Sequence, residues 1–139
     1  MATLEQVRSD LTRTLVGWSL ASVAGGAALG ARQLGPRASG FARQAVAWGA
    51  VDLAIAAAGA VGGRKPVRDR SGETASLRRL LLLNAALDVG YVAAGAALVR
   101  AGTVRGRDSV GDGAGVVVQG LFLLVLDLGT AARLRTTRV

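Results

Sequence analysis

The sequence predicts an all-α integral membrane protein: one bundle of four transmembrane helices. Three observations carry that prediction. Of the 139 residues, 51% are hydrophobic, and the mean hydropathy is +0.41. Four apolar stretches alternate with short basic ones, each long enough to cross a hydrocarbon core of about 30 Å at about 1.5 Å per residue. Within those stretches Ala, Gly, Val and Leu occupy every face, whereas helices of a soluble bundle keep a polar stripe.

The first span is placed near Thr14 to Ala31. Arg8 and Arg13 precede it and "AALGA" ends it, a pattern shared with cleavable signals. Because the sequence opens at Met1, the segment is expected to remain as a helix of the mature protein. The second span, Phe41 to Gly62, follows "RQLGPRASG" (Arg32 to Gly40), where Pro36 lies between glycines. The third, Leu77 to Val99, follows the longest polar stretch, "GGRKPVRDRSGET" (Gly62 to Thr74). The fourth, Gly113 to Ala132, follows the Gly-rich "RAGTVRGRDSVGDG" (Arg100 to Gly113). Loops this short make consecutive helices antiparallel neighbours, so residues 1–139 are read as a single domain.

The net charge of +8 lies almost wholly outside the apolar spans. Two basic residues precede the first span, six fall between the second and third, and three follow the fourth. The other two loops carry three each, so eleven stand on one side against six on the other. The positive-inside rule puts both termini in the cytoplasm. The chain is therefore expected to cross a membrane four times with both termini on its cytoplasmic side. Charge distributed this way reads as topology and attraction to anionic lipid rather than as a nucleic-acid surface.

The chain has no Cys and no His. Disulfides, thiol chemistry, His-ligated metals and His acid–base catalysis are excluded. No metal site and no cofactor is expected.

Two further patterns bear on packing. "SVAGGAAL" (Ser22 to Leu29) matches "YVAAGAAL" (Tyr91 to Leu98) at six of eight places. Gln44 precedes Asp52 by eight residues, as Gln119 precedes Asp127. Both patterns suggest two duplicated helical hairpins in one orientation, related by an axis along the membrane normal. Small residues four apart (Gly26 and Gly30, Gly59 and Gly63, Gly111 and Gly115) have the spacing that lets helix backbones approach closely. The same faces would serve a homo-oligomer.

Function points to the polar residues inside the spans. Asp52 and Asp88 fall at the centres of the second and third spans, and Asp127 lies in the cytoplasmic third of the fourth. An acid at a helix centre costs about 2.5–3.5 kcal/mol on insertion scales, and no Lys or Arg stands at that depth. The acids must be protonated, bond to amides and hydroxyls, or face a wet cavity. Helical spacing puts Asn84, Asp88 and Tyr91 on one face of the third helix. Gln44, Trp48 and Asp52 form a similar stripe on the second, and Gln119 and Asp127 on the fourth. The first helix contributes Trp18, Ser19 and Ser22 but no acid. An interhelical hydrogen-bond network would explain such residues structurally, yet those bonds average only about 0.6 kcal/mol. Asn or Gln would serve as well without a titratable group, which favours a role for the carboxyls.

Taken together, "RQAVAWGAVDLAIAAAG", "LNAALDVGYVAAG" and "VVVQGLFLLVLDLG" resemble an uncharacterised family of small bacterial four-helix membrane proteins, a domain-of-unknown-function group. Gln44, Trp48, Asp52, Asn84, Asp88, Tyr91, Gln119 and Asp127 carry the resemblance. It implies the fold and the topology and no activity.

Four functions fit these residues. The leading one is a binding bundle whose interhelical pocket holds a lipid or other hydrophobic small molecule, oriented by the eight polar residues. A proton-coupled transporter is the second. Small multidrug-resistance exporters share the size and four spans, but they use a Glu in the first helix, which has no acid here. An enzyme using two carboxyls as acid and base is the third, though no nucleophile, metal-ligand or phosphate-loop motif accompanies them. The fourth is an accessory or scaffold subunit.

Overall fold

The computed structural model describes residues 2–62, 70–105 and 109–136. They form four helices: α1 (Leu4–Ala31), α2 (Pro36–Gly62), α3 (Arg70–Arg105) and α4 (Ser109–Leu134). No strand lies among the described residues, and all four helices are long and apolar enough to cross a membrane.

Each helix outruns the apolar span that predicts it, because capping and turn chemistry, not hydropathy, set its ends. Thr3 caps α1: its hydroxyl accepts from the Gln6 amide at 3.2 Å, while the Gln6 side chain accepts from the Thr3 amide at 2.8 Å. The expected loop from Arg32 to Gly40 shrinks to four residues. Pro36 begins α2, where its fixed φ suits a first helical position. Gly35 before it adopts φ +101, a conformation that favours glycine. Similarly, α3 extends to Arg105 and α4 starts at Ser109, so most of the third expected loop is helical. The second expected loop lies outside the described residues from 63 to 69.

Close helix contacts build two antiparallel hairpins, α1 with α2 and α3 with α4. Glycine sets their spacing. A Cβ at Gly26 would stand 2.8 Å from the Ala42 carbonyl oxygen and 2.9 Å from Val46 Cγ2. At Gly95 it would stand 2.8 Å from the Gly113 carbonyl oxygen and 2.8 Å from Val117 Cγ2. Gly49 and Gly120 repeat the correspondence one level on. The first meets the Ser19 carbonyl and Val23, the second the Asp88 carbonyl and Val92. The two hairpins therefore pack alike, with Gly26 matching Gly95 as the eight-residue repeat suggests. The matching register pairs Trp48 with Gln119, however, so the two Gln/Asp spacings are one helical turn out of step.

The hairpins join where the first halves of α2 and α4 run side by side. Gly111 and Gly115 leave room there for the Arg37 backbone and the Gln44 side chain. Arg43 holds Asp112 through both carboxylate oxygens at 2.8 Å. Of the other expected small-residue contacts, Gly30 is in ordinary contact with Ala42. A Cβ at Gly59 would meet nothing within 4 Å among the described residues, and Gly63 lies outside them. At the opposite end the start of α1 reaches α3 and α4, with Leu4, Val7, Leu81, Ala131 and Leu134 forming a buried apolar cluster. Arg8 pairs with Glu73 at 3.3 Å and Arg133 with Asp10 at 2.6 Å around it.

Candidate functional site

Between these two closures lies a cavity of about 350 Å³. All four helices line it. From α1 come Leu11, Thr12 and Leu15; from α4, Leu123, Leu126 and Asp127. The α2 wall includes Trp48, Val51, Asp52, Ile55 and Ala56, and the α3 wall Leu80, Leu81, Asn84, Leu87, Asp88 and Tyr91. No Lys or Arg is among the lining residues.

Trp48 and Tyr91 meet edge to face with ring centroids 5.0 Å apart, closing the end that faces the α1–α2 turn. One turn further in stand Asp52 and Asp88, 1% and 3% exposed. Neither carboxylate oxygen of Asp52 has a hydrogen-bond partner, and one oxygen of Asp88 also lacks one. Asn84 stands beside Asp127, and the three acids are near enough to feel one another's charge. No group of three or more His, Cys, Asp or Glu among the described residues could hold a metal ion. The mouth opens sideways between α2 and α3, whose close contacts are few. Val51, Ile55, Leu80 and Leu87 line it while each remains about half exposed.

Six of the eight residues singled out from the sequence border this cavity: Trp48, Asp52, Asn84, Asp88, Tyr91 and Asp127. Gln44 and Gln119 do not. Gln44 donates to Asp112 at 3.1 Å, adding to the α2–α4 seam. Gln119 is buried in a separate bridge between α1 and α4. It accepts from the Trp18 indole at 2.6 Å and donates to the Ser22 hydroxyl at 3.2 Å. Trp18 also stacks on Phe122, centroids 4.0 Å apart. Sequence reasoning missed Leu11, Thr12 and Leu15 as cavity residues, because hydropathy places the first two before the span rather than inside the bundle. The Trp18–Gln119 pairing had a signal: an indole N–H among apolar residues needs an acceptor, and α4 offers one amide.

A family model matches residues 14–128, most of the chain. The chain belongs to DUF6992, a family of unknown function. The match takes in all eight polar residues and every glycine of the hairpin contacts. It leaves outside Leu11 and Thr12 of the cavity, and also the terminal cluster of Leu4, Val7, Ala131 and Leu134. No curated protein and no solved structure matches the chain.

Proposed function

We propose that this protein crosses a bacterial cytoplasmic membrane four times, both termini inside, and binds a lipid or other hydrophobic small molecule in its interhelical cavity. The observation that carries this reading is Asp52, a carboxyl buried against a cavity with both oxygens unpartnered. Leaving a buried polar atom unpaired costs about 1–3 kcal/mol, a cost that an occupant with donor groups removes. The dimensions agree with such an occupant. A void of about 350 Å³ falls within the range of small-molecule sites, which are mostly apolar with a few convergent polar groups. Its sideways mouth, framed by exposed Ile55 and Leu87, gives a molecule dissolved in the bilayer a route that never meets water.

The orientation rests on the basic residues, eleven against six. On that orientation the cavity occupies the cytoplasmic half of the bundle, with Asp52 and Asp88 near the bilayer centre and Asp127 nearer the cytoplasmic end. Between Asp52 and the end of α2 at Gly62 there are ten residues, or about 15 Å of helix.

Mass spectrometry of protein purified in mild detergent tests the reading. Wild type is expected to retain one class of hydrophobic small molecule. Ala56→Leu is expected to retain less than half as much, because Ala56 is buried on the cavity wall one turn from Asp52 and the larger side chain takes up the space. Equal content in both proteins, or none in either, sinks the proposal and leaves a packing subunit.

A further inference from the structure

Donors line the cavity on Thr12, Trp48 and Tyr91, yet none of them bonds the acid oxygens concentrated at its inner end. Asp52 brings two buried unpartnered oxygens and Asp88 brings one. A carboxylate only accepts, and no cationic side chain lines the walls to answer it. Asn84, the one amide present, lies beside Asp127 instead. An occupant that completes this site must therefore bring donors.

The alternatives fit less well. An alcohol head has a single O–H donor and leaves two of the three oxygens unpaired. A phosphate or carboxylate head adds negative charge to a site already holding three acids. A primary ammonium has three N–H donors for three oxygens. It also neutralises a carboxylate at a depth where an unpaired charge is costly. Trp48 and Tyr91 stand over the same end of the cavity, and aromatic faces attract cations.

Resting on the reading that the cavity binds a hydrophobic molecule, we infer that the molecule is a lipophilic amine. Its ammonium head lies against Asp52 and Asp88 beneath the Trp48–Tyr91 pair. Its hydrocarbon tail follows Ile55 and Leu80 toward the mouth between α2 and α3.

The test uses the full chain in phosphatidylcholine nanodiscs, with partitioning into protein-free discs subtracted. Decylamine, decanol and decanoic acid have equal chains and differ in the head. Binding is followed by tryptophan emission and counted by native mass spectrometry. Decylamine is expected to bind at least tenfold more tightly than decanol, and decanoic acid more weakly than either. Asp52→Asn is expected to abolish the preference, so that the variant binds decylamine no more tightly than it binds decanol. Decanol binding as tightly as decylamine to wild type would overturn the amine assignment while keeping the hydrophobic-molecule reading. Tighter binding of decanoic acid would do the same. Binding of none of the three would overturn both. The wild-type ranking decides even where Asp52→Asn does not fold, and Asp88→Asn gives a second removal of an acceptor.

Discussion

Two buried polar side chains, Asp52 and Gln119, show how differently one residue class is used. Gln119 has both ends of its amide occupied, by the Trp18 indole and the Ser22 hydroxyl. Asp52 has neither oxygen occupied. Their replacement by leucine should therefore act with opposite sign. Gln119→Leu leaves a part-buried indole N–H without its acceptor and should destabilise by about 1 kcal/mol. Asp52→Leu removes two unpaired acceptors beside a cavity with room for the larger side chain. In lipid-stripped protein it should raise the melting temperature in detergent, and a fall instead would mean that Asp52 has a structural partner. At this scale the sequence was only partly legible. Helical spacing grouped Asn84, Asp88 and Tyr91 correctly, since one turn on one helix fixes one face. It could not separate Gln44 and Gln119 from the cavity residues, because their partners, Asp112 and Trp18, lie on other helices.

Between helices, the close packing is governed by which glycines face a neighbour. Gly25 and Gly26 are adjacent in sequence, yet a Cβ at Gly25 meets nothing within 4 Å while one at Gly26 runs into α2. Gly25→Ala should be neutral or stabilise by up to about 1 kcal/mol, as alanine in a helix interior does relative to glycine. Gly26→Val should push α1 off α2 and abolish folding to a monodisperse species. Size-exclusion profiles and melting curves of the two variants check both outcomes, and equal behaviour would remove the glycine-contact account. The repeat "SVAGGAAL"/"YVAAGAAL" made this legible, for its alignment alone marks Gly26 and Gly95 as equivalent positions. Helix ends were less legible. Apolar run length measures how much chain suits lipid, whereas the ends follow the Thr3 cap and Pro36. The small-residue spacing at Gly59 says only that the face is smooth, and no helix of the same chain lies against it there.

For the molecule as a whole, the four-helix count followed from hydropathy alone, since long apolar runs leave the backbone few other ways to satisfy its own hydrogen bonds. Sidedness rests on charge and is open to direct test. Ser39 and Ser71 are both exposed near opposite ends of the bundle. On the proposed orientation Ser39→Cys should react with an impermeant thiol reagent on intact cells, and Ser71→Cys only after lysis. The reverse pattern would invert the topology and put the cavity in the outer half of the bilayer.

The cluster of Leu4, Val7, Leu81, Ala131 and Leu134 has a consequence for the order of assembly. Each hairpin draws its contacts from helices that follow one another closely, so each can form soon after its second helix leaves the ribosome. The cluster cannot, because its first members are synthesised long before its last. Until Ala131 and Leu134 arrive, the start of α1 has no seat and the floor of the cavity is missing. Each hairpin can thus form before the cluster does, and the cavity is completed only by the final turn of α4.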